Sequence, residues 1–343
     1  MTVANRRRST SLDDEIGDAG TNIHKVFPNV LRPSYYDVMP REPSRKQTPP
    51  DKRSRNLRDL DWCLQSPPLM ATGDLVDVAR PQSSVDIIWP TSDWFEGLTL
   101  SQAEPPSPPD PHRFRLGQHF EALIQHWLVV SGQYDLIKYN WQVIEAKQTI
   151  GEFDLIVRDR FDGAIEHWEL AVKFYLGIDD LAFDRWYGPN TSDRFDLKLD
   201  RLCHHQLTLA TQPAPSKKLT DTKITVDRVR SFMKGRLFYP RQQWEQNEIS
   251  ELFHPGHTTG WWLAVEDLPH SFDHNSQFVY LPKGLWLSPL TPDDIRAPLS
   301  TAEVRDMVTA PSAQQATHFA EVTHEGEISR GFVVSSKWLE RVR

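Results

Sequence analysis

Residues 151–175 read GEFDLIVRDRFDGAIEHWELAVKFY, two apolar-rich runs with charges in their middles, joined at Asp162-Gly163. Side chains alternate along a strand, so Phe153, Leu155 and Val157 are expected on one face of the first run and Glu152, Asp154 and Ile156 on the other. In the second run Trp168, Leu170, Val172 and Phe174 share one face, and His167, Glu169, Ala171 and Lys173 the opposite one. An Asp-Gly turn between two such runs predicts a β-hairpin. Pairing then sets Asp154, Glu169 and Lys173 on one face of adjacent strands. Two carboxylates and an ammonium on a half-buried sheet face are costly unless they neutralise one another or hold a cation. A divalent metal with oxygen ligands meets that requirement.

GEFDLI resembles the GE-hydrophobic-DLI motif found in several families of the PD-(D/E)XK nuclease superfamily. The run from Arg115 through GEFDLI and HWELAVKFYLG to Leu199 is similar to the bacterial domain of unknown function 1853, which is grouped with that superfamily, and the similarity extends from roughly Leu57 to the C-terminus. It implies an α/β fold: a restriction-endonuclease-like mixed sheet core flanked by helices, in the order helix, three-stranded meander, helix, strand. It also implies Mg²⁺ or Mn²⁺ held by Asp154 and Glu169, Lys173 acting on the attacking water, and hydrolysis of DNA or RNA. One spacing departs from the superfamily, in which the acid and the lysine are two residues apart. Two residues before Lys173 stands Ala171, and the nearest acid on that face is Glu169, about 13 Å of strand away. The alternatives are a nuclease-like fold that binds nucleic acid or protein without catalysis, and a structural Glu169–Lys173 ion pair.

A chain of 343 residues suggests one to two domains. Mean hydropathy is −0.54 and no apolar run reaches the length of a membrane span, so no membrane association and a cytoplasmic location are expected. Cys63 and Cys203 form neither a disulfide framework nor a zinc pair and read as reduced core thiols. A net charge of −8 excludes a globally basic nucleic-acid binder. Between Asp184 and Arg241, however, twelve Lys or Arg face six Asp and no Glu, enough for a basic stripe along phosphates.

Residues 1–56 carry mixed charge and scattered proline without apolar periodicity, and read as a disordered extension. The nuclease-like domain then runs over 57–343, with its core at about 112–241 and a β-rich C-terminal part at about 242–343. Leu57, Leu60 and Leu64 predict a short helix ending before Pro67-Pro68. Pro90 to Pro111 is expected to run extended. Leu116, Phe120, Leu123, Ile124, Trp127 and Leu128 form a helical stripe with Glu121 at its border, placed to reach the sheet edge; the resemblance makes Glu121 an additional site carboxylate. Tyr139 to Ala146 reads as the first meander strand. Phe195, Leu199, Leu202 and Leu209 predict a second helix over Asp193 to Leu209, and Gln206 on its apolar face must find partners, either in the site beside Lys198 and His205 or on buried backbone. Thr225 to Met233 reads as a short helix and Gly235 to Tyr239 as a strand. His254 and His257 read as an exposed loop pair.

Overall fold

The structure, a computed structural model, describes residues 53–71, 86–88, 90, 92–100, 102–106, 115–244, 252–310 and 315–343. The extension expected to be disordered lies, up to residue 52, outside the described residues. Its inner boundary moves: helix α1 spans Arg55–Gln65, Ser54 caps it by accepting from the Leu57 amide at 3.2 Å, and it stops at Ser66 before the two prolines. After the short strand β1 (Asp86–Ile88), residues Ser92–Glu96 turn into a short helix where an extended run was expected. The reason is packing, since Phe95 is fully covered and Trp94 meets the Trp168 ring edge-on at 5.5 Å.

Helix α2 (Leu116–Ser131) carries the apolar stripe and ends at Gly132, whose φ of 70° suits a residue without Cβ. It leads into an antiparallel meander of β2 (Tyr134–Glu145), β3 (Gln148–Asp159) and β4 (Ile165–Gly177). Ala146 and Lys147 both take positive φ in the first hairpin, as a two-residue type I′ turn demands. In the second hairpin Gly163 sits at φ 80°, and Asp159 and Asp162 accept from the Phe161 and Ala164 amides at 2.8 and 3.0 Å. The two-residue β5 (Trp186–Tyr187) pairs with the end of β4. Helix α3 (Phe195–Arg201) runs on into a single π-helical turn, Leu202–Gln206, and α4 (Pro213–Asp221) follows.

Strand β6 (Arg228–Pro240) lies parallel to β4 and occupies most of the segment expected to be a helix over Thr225 to Met233. It is buried on both faces, so apolar alternation is missing, and Val229, Phe232 and Met233 imitate helical spacing. Beyond it, β7 (Thr258–Ala264), β8 (Gln277–Tyr280), helix α5 (Thr301–Thr309), β9 (Thr317–Thr323) and β10 (Gly326–Val334) complete the chain. The sheet has ten strands in the order β2-β3-β4-β6-β7-β10-β9-β8, with β1 on β6 and β5 on β4. The β-rich C-terminal part therefore continues the meander's own sheet and does not pack on it as a separate layer. The architecture is mixed α/β, a large mixed sheet flanked by helices.

Helices α1 and α2 cover one face with Leu60, Leu64, Phe120 and Trp127 against Leu155, Trp168 and Phe174. On the other face Phe195, Leu199 and Leu202 meet Ile156, Ala171 and Tyr175. Cys63 and Cys203 are buried free thiols, as expected. Contrary to expectation, His257 is buried, with its ring bonded to the Tyr239 hydroxyl at 2.9 Å and to the His254 carbonyl at 2.6 Å. Among the described residues no helix is long and apolar enough to cross a membrane.

Candidate functional site

Strand β4 has ladder partners on its β3 side only near its two ends. Strand β3 pairs with it from Ile165 to Trp168, and β5 at Leu176 and Gly177. Between them β3 has left the ladder, and the orphaned Leu170 amide donates at 2.8 Å to Asp154 Oδ2. A side-chain carboxylate thus takes the place of a backbone carbonyl. The divergence also breaks the alternation of β3: Phe153 joins the face of Ile156, not that of Leu155 and Val157, and its ring meets the His167 ring edge-on at 4.8 Å. Opposite this point on β2, between the Tyr139–Leu155 and Trp141–Phe153 pairs, Asn140 takes a φ of 44°.

Glu169 is buried beside Asp154, within hydrogen-bonding reach of it. Two carboxyls can use such a contact only by sharing a proton. Glu169 Oε1 accepts from His167 Nε2 at 3.0 Å, and Oε2 accepts from Gln206 Nε2 at 2.7 Å. At its other end Gln206 Oε1 accepts from Lys198 Nζ at 2.6 Å. The π-helical turn is what presents Gln206 to the sheet, an irregularity often met at functional positions. Burial, followed by the Glu169 charge, pushes Asp154 up to about 7. Burial likewise raises Glu169 well above the ordinary range, against the pull of Lys198. His167 is driven by burial down to about 4, which keeps it neutral at pH 7, and its buried Nδ1 has no hydrogen-bond partner among the described residues.

Of the five expected residues the structure joins three by contact, Asp154, Glu169 and Gln206, and sets Glu121 near enough to feel their charge. Glu121, on α2, is half-buried and raised to about 7, first by burial and then by the charges of Asp154, Glu152 and Glu169. Among the described residues it makes no hydrogen bond to the cluster, and its link to it is the charge of those three carboxylates, felt from a helix on the face opposite α3. Gln206 takes the first of the two roles open to it. Lys173 is the exception: its Nζ donates at 2.6 Å to Asp193 Oδ2, whose other oxygen accepts from the Tyr175 hydroxyl at 3.3 Å. A Glu169–Lys173 ion pair is therefore not formed; the basic groups whose charge acts on Glu169 are Lys198 first and then Arg201, and Lys198 is the one tied to it through Gln206. His167 belongs to the site as well, and its place two residues before Glu169 on the same strand face was the signal for it.

Among the described residues no group of three or more His, Cys, Asp or Glu side chains is arranged to hold a metal ion; Asp154 and Glu169 are a set of two. Most of the chain, residues 58–334, matches the family described as Domain of unknown function (DUF1853). No curated protein and no solved structure matches it at a significant level.

Proposed function

The chain belongs to the DUF1853 family, and from that premise we propose that it is a divalent-metal-dependent nuclease with a PD-(D/E)XK, restriction-endonuclease-like core. The element order supports this: α2, the β2-β3-β4 meander, α3, then β6 parallel to β4. The observation that carries the reading is the meeting of Asp154 and Glu169 at the break in the ladder. A buried and a half-buried carboxyl in contact are stable only if they hold a proton or a cation between them. Mg²⁺ characteristically takes one or two carboxylates and fills its shell with water and phosphate oxygens, so a two-carboxylate set fits Mg²⁺ or Mn²⁺. Bound there, the metal supplies a water of lowered pKa and charge for the phosphoryl oxygens.

The chain's own groups do the rest. The Leu170 amide fixes Asp154, and His167 with Gln206 fixes both oxygens of Glu169, as outer partners of metal ligands do. Glu121, poised near neutral pH, suits an auxiliary acid. A nucleic-acid substrate agrees with the twelve Lys or Arg against six Asp between Asp184 and Arg241. A second reading, a nuclease-like binding module without catalysis, draws on Lys173 being engaged with Asp193 and not with the carboxylates. Calorimetric titration with Mg²⁺ and Mn²⁺, alongside cleavage of labelled DNA and RNA oligonucleotides, separates the two. The expected result is one metal site and metal-dependent cleavage in the parent, both lost in Asp154→Asn and in Glu169→Gln. Undiminished Mn²⁺ binding by Glu169→Gln would remove Glu169 as a ligand, and a parent that binds no metal leaves the binding module standing.

A further inference from the structure

We propose that Lys198, reaching the sheet from α3, is the ammonium that acts at the Asp154–Glu169 pair, and that Lys173 has no part in the chemistry. The inference rests on the hydrolytic reading above and names the side chain that would touch the scissile phosphate.

The connection runs through Gln206. A lysine only donates hydrogen bonds and an ionised carboxylate only accepts them, so the amide lying between them has one satisfactory orientation: oxygen toward Lys198, nitrogen toward Glu169. Gln206 thereby ties the ammonium to the acid across 2.6 and 2.7 Å bonds. Lys198 is half-buried, and the carboxylates that attract it are Glu169 and Asp154. Lys173, near enough for its charge to act on Lys198, is bonded instead to Asp193, which is itself held by the Tyr175 hydroxyl and by the Asn190 side chain through its own amide at 3.3 Å. Between Glu169 and Lys173 on the same face of β4 stands Ala171, whose methyl group offers no cation. The position one pleat from the acid is thus without an ammonium of its own, and a lysine from the helix above the sheet supplies it.

The chemistry is hydrolysis. The oxygen of a water bonds to phosphorus as one bridging P–O ester bond breaks, one water proton ends on the leaving oxygen, and the product is a phosphate monoester. Lys198 stabilises the charge that builds on a non-bridging oxygen during that exchange, where a preorganised cation is worth most.

Four proteins test this: the parent, Lys198→Ala, Lys173→Ala, and Lys198→Ala combined with Ala171→Lys. Each is first melted to establish that it is folded. In cleavage of labelled DNA and RNA oligonucleotides, Lys198→Ala is expected to lose at least about 100-fold in kcat. Lys173→Ala stays close to the parent, and the combined variant recovers part of the loss because its ammonium again stands beside Glu169. The second readout needs no activity: with Mn²⁺ alone, Lys198→Ala binds severalfold more tightly than the parent because a positive charge beside the carboxylates is gone, whereas Lys173→Ala is unchanged. Loss of cleavage in Lys173→Ala with retention in Lys198→Ala overturns the assignment and leaves the nuclease reading intact. Equal Mn²⁺ affinities in the parent and Lys198→Ala overturn it whatever the activities are. A parent that cleaves nothing while Lys198→Ala binds Mn²⁺ more tightly overturns the hydrolytic reading and the catalytic role together.

Discussion

Asp154 concentrates the electrostatic argument into one group. Its carboxyl is raised to about 7 because burial and the Glu169 charge both disfavour ionisation. The folded protein therefore holds a proton that the unfolded chain releases near its ordinary value, and stability falls as pH rises between the two. Below pH about 4 neither state has lost the proton and the penalty is absent; above about 8 it is complete. Replacing the carboxyl removes the penalty. Asp154→Asn should raise the melting temperature of the metal-free protein at pH 8, by the equivalent of about 1 to 3 kcal/mol, by less as pH falls, and leave it nearly unchanged at about pH 3.5. A lower melting temperature at pH 8 would mean that Asp154 is a structural ion-pair partner. Strand alternation alone made Asp154 and Glu169 legible, since both belong to one hairpin. It could not show that Lys173 turns to Asp193, a contact made by a loop twenty residues on, nor that the ammonium comes from a helix over the sheet.

At the scale of elements, the close approaches in the sheet decide what was legible. The meander was readable because its turns carry their own signals, Asp-Gly at the second hairpin above all. Strand β6 was not: it is a parallel strand buried on both faces, and its charged side chains are satisfied only by distant partners. Arg230 makes a two-pronged bond with Glu166 at 2.8 and 2.9 Å, and Lys234 donates to the carbonyls of Leu64 and Ser66 at the C-terminal end of α1. Sequence spacing contains none of these contacts. A similar constraint fixes Gly331 on β10, where a Cβ would stand 2.1 Å from the indole of its pair partner Trp261. That indole is fully buried and anchored by its N–H on the Ser329 hydroxyl at 2.8 Å, so it cannot swing away. Gly331→Ala should therefore destabilise the fold by about 1 to 3 kcal/mol, the usual cost of overpacking, read as an earlier denaturant midpoint. An unchanged midpoint would show that both the ring and the Trp261 carbonyl, 2.2 Å from that Cβ, can give way.

For the molecule as a whole, continuity of the sheet is the decisive fact. The sequence divides into a core ending near residue 241 and a β-rich part after it, yet β6 hydrogen-bonds β4 on one edge and β7 on the other. The aromatic packing crosses the same boundary: Phe238 meets Phe332 at 4.7 Å, and Phe174 meets Trp286 at 5.1 Å. Helix α1 is tied to the late chain as well, with Asp59 accepting from the Ser288 amide and hydroxyl at 3.1 and 2.6 Å, and Arg58 donating to Asp294 at 2.6 Å. Cutting at residue 241 would expose the β7 edge of β6, leave Phe174 and Phe238 without their covers and strand the buried Asp59. Unpaired backbone edges and uncovered aromatics together outweigh the few kcal/mol by which a domain is ordinarily stable. We therefore expect a fragment of residues 53–241 to show no cooperative melt, while residues 53–343 unfold in a single transition that takes the site with it. A cooperative melt in the short fragment, with Mn²⁺ binding retained, would make the C-terminal strands an accessory to a core that folds alone.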